Sequence, residues 1–459
     1  MSAELDAWLA QEQAQFVAAH PRSRAHFQAG ERHYLYGAPM HWMRRWAGGF
    51  PLYADRAEGA QLWCVDGLSY VDFCLGDTGA MCGHAAPAVT AAVSTQLARG
   101  ATLMLPTVDA EWVGAELAQR FGLPYWGFTT SASDANRAAI RIARMVTQRD
   151  VVLVFNGCYH GSVEEAHVGL AGGQMVMRSG VHPNAVDHQR VSRVVEFNDP
   201  AALEVALERR DVALVLAEPC MTNYGMIESL PGFLATLREL TRRTGTLLLY
   251  DETHTWSAGP GGCTARDGLT PDLFTIGKAV GGGIPAGLYG VSEPVARRLW
   301  ERAPRESQRP GVRQSSHMGF GGTLAGSALQ VAAVRAVLAE VLTAANFARM
   351  IELAGTLAAA ARALVAENAL AWYIGQSGAR VEPMLTPAAP RNASELARSR
   401  DPTLEGLLHL YMLNRGILIT PFHSMLLMCP ATQPRDIERF LGEFAQFCAQ
   451  LRRSLRHHS

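Results

Sequence analysis

The sequence predicts an α/β protein with a large domain built on a parallel β-sheet and a smaller α+β domain at the C-terminal end. Two observations carry that reading. Short apolar segments recur between residues 85 and 320, namely VVLVF (151–155), VALVLA (212–217), TLLLYD (246–251) and LFTIG (273–277). Amphipathic stretches separate them: DANRAAIRIARMV after Ser133, PAALEVALERR from 200 and PGFLATLRELTRRTG from 231. Continuous apolar strands alternating with such helices mean strands buried on both faces, hence a parallel sheet with helices on each side.

Taken in order, residues 1–65 open with a polar helix and continue through the Trp-rich HYLYGAPMHWMRRWAGGFPLY. This segment is expected to join the small domain. Residues 66–330 are assigned to the large domain. After the Gly-rich GFGGTLAGSA the pattern changes to a long Ala/Leu-rich helical region (about 324–368) and a mixed segment, ARVEPML. A helix in TLEGLLHLYMLNRG and a final helix from Pro434 complete the small domain, 331–459.

Composition narrows the function classes. The chain has 459 residues, 48 % hydrophobic and 18 % charged, long enough for a large core and unlike a disordered sequence. A net charge of −1 and a pI near 7.0 give no electrostatic footprint for nucleic acid or an acidic membrane surface. The eight cysteines are scattered without zinc spacing, so no metal is expected. No apolar run reaches the roughly 20 residues of a membrane span, and the acidic, polar start MSAELDAWLAQEQAQF is unlike a signal peptide. The expectation is a cytoplasmic, reduced protein.

The chemistry begins with one residue. Lysine and arginine total 41, and Lys278 in TIGKAVGGGIPAG is the sole lysine, which leaves 41 − 1 = 40 arginines. Arginine stays protonated near neutral pH, whereas lysine can lose its proton, attack a carbonyl carbon and form a Schiff base. In a parallel sheet, ligands bind beyond the carboxyl ends of strands. Asp251 and Lys278 sit at two such ends; Asn156, Tyr159 and His160 follow a third, and Glu218 and Asn223 a fourth. TTSASDANRA opens a helix whose N-terminal N–H groups suit a phosphate, and the same residues also fit an ordinary N-cap at Ser133 or Asp134. GFGGT supplies Thr323 as a second hydroxyl donor. A Walker loop is excluded because Lys278 precedes its glycines. Those glycines are expected to turn the backbone sharply and clear space for a flat ring. An amine, a carboxylate, an aromatic and a phosphate-binding helix together point to pyridoxal phosphate, with Asp251 paired to the pyridine nitrogen.

Seven ordered motifs then carry a resemblance: GDTGAMCGHAAPAV, SASDANRAAIRIAR, CYHG, AEPCMTNYG, LLLYDETHT, IGKAVGGGIPAG and GGTLAGSAL. The chain resembles the class III, fold type I pyridoxal-phosphate aminotransferases across nearly its whole length. AEPCMTNYG and LNRGILITP resemble the glutamate-1-semialdehyde aminomutase branch and the related β-amino-acid transaminases. The resemblance implies that Lys278 carries the cofactor as a Schiff base and later moves the proton. It implies that Tyr159 stacks on the ring, that Ser131, Ala132 and Ser133 form the phosphate cup, and that Asn223 lies near the phenolic oxygen. Thr323 would reach the phosphate from a second subunit, giving a homodimer with active sites at the subunit interface. Glu218 is read as a structural carboxylate.

Departures from the family pattern concern the substrate. The Arg expected near Ala258 is absent, as is the N-terminal Arg that holds a substrate carboxylate; His41 stands nearest that Arg, with Arg44 and Arg45 following. The aminomutase Glu expected near Met425 is missing, and the loop Trp is replaced around Asp77 and Thr78. These losses favour a transaminase exchanging an amino group between an amine or an ω- or β-amino acid and a keto acid by a ping-pong mechanism. The candidate substrate contacts are His41, Trp42, Arg44, His254, Trp256 and His423. For Trp42 and Trp256 a place in the core is the alternative. An aminomutase or an epimerase using the same residues remains open.

Overall fold

The computed structural model describes residues 3–180, 182, 186–306, 319–421 and 423–456. Two units emerge. One comprises residues 87–344 and 390–398, the other 1–86, 345–389 and 399–459.

The first unit is built on a seven-stranded sheet. Its strands are β1 (Tyr125–Thr129), β2 (Val151–Phe155), β3 (Ser192–Val195), β4 (Val212–Ala217), β5 (Leu247–Asp251), β6 (Leu273–Ile276) and β7 (Gly287–Val291). They lie in the order β1-β7-β6-β5-β4-β2-β3. β2 to β6 run parallel, and all of β2, β4, β5 and β6 is buried, which explains their continuous apolar sequences. β7 departs from the expected parallel sheet: it pairs antiparallel with both β6 and β1. The link from β6 to β7 is only residues 277–286, short of the dozen or more that a parallel crossover needs. The strand therefore returns beside its predecessor in the opposite sense.

Helix Ala132–Thr147 covers the sheet through Ile140, Ile142, Ala143 and Val146, packed in one core with Val152, Val154, Leu214 and Leu249. The opposite core gathers Phe155, Phe197, Phe233, Leu237 and Tyr250.

The second unit contains a four-stranded sheet, Ala54–Glu58, Gln61–Cys64, Ser69–Asp72 and Ile417–Leu418, and a three-stranded one, Tyr373–Ser377, Arg380–Met384 and Leu426–Leu427. Phe16, Phe27, Phe50, Tyr70, Leu410 and Leu413 form its core.

The unit limits differ from the sequence-derived 65/66 and 330/331 for local reasons. Ser69–Asp72 pairs in parallel with Ile417–Leu418, which carries residues 66–86 with the second unit. Arg120 donates to the carbonyls of Leu338 and Leu342 at 2.9 and 2.8 Å, which holds that stretch on the first. Residues 390–398 also belong to the first unit, where Ser394 bonds to Asn156 at 3.1 Å.

Candidate active site

β5 and β6 are neighbouring parallel strands, so Asp251 and Lys278 leave the same edge of the sheet. Lys278 has φ +49°, a left-handed conformation costing an L-residue about 1–2 kcal/mol. Its Nζ lies 2.8 Å from His254 Nε2.

The glycines around Lys278 do not all do the work expected of them: Gly283 (φ +104°) turns the chain beside open space, but Gly277 and Gly282 are fitted to close neighbours. A Cβ on Gly277 would stand 2.7 Å from Ala132 Cβ, so the residue before the lysine must be glycine for the strand end to reach the helix N-terminus. Gly282 (φ +58°) does turn the chain, but a Cβ there would meet Val89 and Val337 at 2.8 and 2.9 Å. The space it clears is filled by core valines, not reserved for a ring.

Asp251 is buried and heavily bonded. Oδ2 accepts from His160 Nδ1 and Asn136 Nδ2, both at 2.9 Å, and Oδ1 accepts from the Thr253 N–H at 3.1 Å. Thr275 Oγ1 donates to Asn136 Oδ1 at 2.7 Å, which turns the amide so that its nitrogen faces the carboxylate. Burial alone would raise the Asp251 carboxyl, but His160 and the other donors hold it well below the usual range. The same pairing pushes His160 up against the opposing effect of burial. The result is a fixed buried anion, and a carboxylate oxygen accepting one hydrogen bond has capacity for a second donor.

At the helix Ala132–Thr147 the N-cap is Ser131, not Ser133 or Asp134: its Oγ accepts from the Asp134 N–H at 3.2 Å. Ser133 Oγ instead accepts from the Ser162 N–H at 3.1 Å. Gly161 (φ +78°) passes so close that a Cβ would lie 1.9 Å from Ser133 Oγ. Tyr159, on the same loop, is half exposed, and its carbonyl accepts from Asn223 Nδ2 at 3.5 Å. Asn223 Nδ2 also donates to Glu218 Oε1 at 3.2 Å, and Thr222 Oγ1 donates to Glu218 Oε2. Thr323 borders a cavity of about 240 Å³ with Thr129, Thr130 and Asp134 of its own chain.

The expected substrate contacts separate. His254 is buried against Lys278, within the first unit. Trp256 requires a correction: it is 0 % exposed, packs on Phe121 at 6.0 Å and donates Nε1–H to the Pro260 carbonyl at 2.8 Å. It is a core aromatic with no surface to offer a substrate. His41, Trp42, Arg44 and His423 belong to the second unit. Trp42 is exposed, His41 packs edge-on to Tyr36 at 5.6 Å, and Arg44 lies 3.9 Å from Glu31. His423 sits between Glu382 Oε1 at 3.2 Å and Asp77 Oδ1 at 3.7 Å. Burial disfavours its charge, but the two carboxylates outweigh that and push it up to about 9.

Sequence reading missed Glu252. Fully buried, it accepts from the Cys263 N–H at 3.1 Å, from Thr264 Oγ1 at 2.5 Å and from Thr255 Oγ1, tying down the loop that presents His254. It also missed Asn136; the signal was a polar side chain on the helix face that otherwise carries Ala135, Ala139 and Ala143.

These residues fit pyridoxal phosphate. A single amine, a fixed carboxylate for a protonated ring nitrogen, an exposed aromatic face and a closely approached helix N-terminus make up the donor set.

The aminotransferase class-III family model matches residues 42–376. A glutamate-1-semialdehyde 2,1-aminomutase of Sorangium cellulosum is 34 % identical over 87 % of this chain and 89 % of its own length. A solved glutamate-1-semialdehyde-aminomutase from Pseudomonas aeruginosa PAO1, in complex with PMP, is 51 % identical with a TM-score of 0.94, covering 98 % of both chains. A β-phenylalanine aminotransferase from Variovorax paradoxus is 27 % identical with a TM-score of 0.86, covering 97 % of this chain and 98 % of its own.

Proposed function

The chain belongs to the class-III aminotransferase family, and on that premise we propose that it moves an amino group within an amino-carbonyl substrate, as an aminomutase of the glutamate-1-semialdehyde type. The observation that carries this reading over the transaminase expected from sequence is the 51 % identity, along 98 % of the chain, to a solved protein of that name. Bound in the site, pyridoxal phosphate supplies the electron sink that lets a bond at the substrate carbon break. Lys278 Nζ anchors the cofactor at rest. Displaced by the substrate amine, the same nitrogen takes the proton from the substrate carbon and returns it elsewhere. Asp251 would keep the ring nitrogen protonated, the N–H groups at Ser131, Ala132 and Ser133 would hold the phosphate, and Tyr159 and Asn223 would contact the ring.

Transfer between two molecules is the second reading, favoured by Met425. This residue is fully buried and brings no carboxylate to the place where the aminomutase pattern has Glu. A homodimer with Thr323 at the subunit interface is supported by the exposed Met104, Leu105, Val108 and Leu324. A reducing, cytoplasmic setting is supported by eight cysteines that are all buried, none of them in a disulfide.

Single-turnover analysis of the cofactor-loaded enzyme separates the two readings. With glutamate 1-semialdehyde, release of the isomerised amino ketone, its nitrogen retained and no nitrogen-free carbonyl product formed, supports the aminomutase. Release of one keto product per active site from an amine or β-amino acid supports the transaminase.

A further inference from the structure

We infer that His254 is a positioning residue for the Lys278 amine, holding it through Nε2 both when it captures the cofactor and when it carries the substrate proton. The inference rests on the proposed role of Lys278 and deepens it. Both partners sit on fixed backbone. His254 precedes the turn Thr255–Ala258, which Glu252 anchors through Thr255, Cys263 and Thr264. The Trp256 backbone N–H donates to the Glu252 carbonyl at 2.9 Å and closes the loop that carries His254. Lys278 is held at φ +49° between Gly277 and the turn that follows it. The two segments thus bring Nζ and Nε2 to 2.8 Å in a part-buried setting. Family resemblance assigns the lysine its task, but nothing in it assigns the histidine one.

The proton balance leaves His254 unchanged. When Nζ takes a proton from the substrate carbon, the C–H bond breaks, its electron pair would be taken up by the electron sink that bound pyridoxal phosphate supplies, and the amine becomes an ammonium with three N–H donors. With its own proton on Nδ1, His254 presents the Nε2 lone pair and accepts one of the three. That contact fixes the rotation of the ammonium, so one of the other two N–H groups faces the carbon that receives the proton. Lys278 is then neutral again, and His254 has neither gained nor lost a proton.

Because Lys278 is the sole lysine, selective lysine labelling gives one resolvable side-chain signal. In cofactor-free protein its ε-protons should show a nuclear Overhauser contact to the His254 ring; absence of that contact overturns the inference without reference to any substrate. The second arm mixes cofactor-free protein with pyridoxal phosphate and follows the visible band of the lysine-linked cofactor. His254→Phe keeps the ring shape but no polar atom, and should slow capture about 5-fold, the equivalent of one hydrogen bond of about 1 kcal/mol. His254→Gln keeps a polar atom near the place of Nε2 and should restore most of the rate. The opposite order, Phe near wild type and Gln slow, makes His254 a packing residue and overturns the inference. Loss of the visible band in the wild type would instead strike at the role of Lys278, while the lysine signal still reports the contact.

Discussion

Replacing Gly277 by alanine places a methyl group 2.7 Å from Ala132 Cβ and 3.0 Å from Ala132 N. Non-bonded carbons pack at about 3.5–4.0 Å, so the overlap is about 1 Å and is directed at the first turn of a helix. Gly277 has a negative φ of −146°, so the perturbation is argued from the contact with Ala132. Relief requires Lys278 to move away from the helix N-terminus, which separates the amine from the proposed phosphate cup. Overpacking of this kind costs about 1–3 kcal/mol. Thermal denaturation should show a lowered Tm, and spectrophotometric titration should show pyridoxal phosphate held about 10-fold more weakly for each 1.4 kcal/mol taken from binding. Gly114→Ala is the matched control. It lies inside the helix Asp109–Phe121 with open space around its added Cβ, and should stabilise by about 0.5–1 kcal/mol. A Gly277→Ala protein with wild-type Tm and cofactor affinity would refute the claim that strand end and helix are in enforced contact.

His423 is held up to about 9 by Glu382 and Asp77, so its contribution to stability is full below the imidazole range of an unfolded chain and is lost as pH rises through about 9. The shift corresponds to on the order of 3 kcal/mol, and His423→Gln should lower Tm at pH 6 far more than at pH 10. Glu252→Gln turns a carboxylate that only accepts into an amide with two donors, placed against the Cys263 and Thr264 N–H groups; stability measured by urea denaturation should fall by about 1–3 kcal/mol. Trp256→Ala should cost about 3–5 kcal/mol as a core deletion, whereas Trp256→Phe should leave KM for a productive substrate unchanged. A raised KM in the Phe variant would return Trp256 to the substrate.

Much of this was legible because it is local. Continuous apolar runs marked β2, β4, β5 and β6, and the polar residues at their ends marked the candidate site. β1, β3 and β7 were not legible. YWGFT is only partly buried, SRVV carries an arginine, and GLYGV carries two glycines; their strand character comes from pairing with distant segments. Asn136, Glu252 and His254 acquire meaning only from what the fold sets against them. An asparagine in a helix becomes a brace only when Asp251 arrives from the neighbouring strand. For Trp256 the core alternative holds, because a tryptophan near a strand-end carboxylate has the same sequence signature whether it faces ligand or core.

The most direct test of the central claim uses the lone lysine. Protein incubated with pyridoxal phosphate, reduced with borohydride and digested should carry one pyridoxyl group per chain, on the peptide containing Lys278, and Lys278→Ala should carry none there. An unmodified Lys278 peptide in the wild-type protein, or a visible band that persists in Lys278→Ala, would contradict the account.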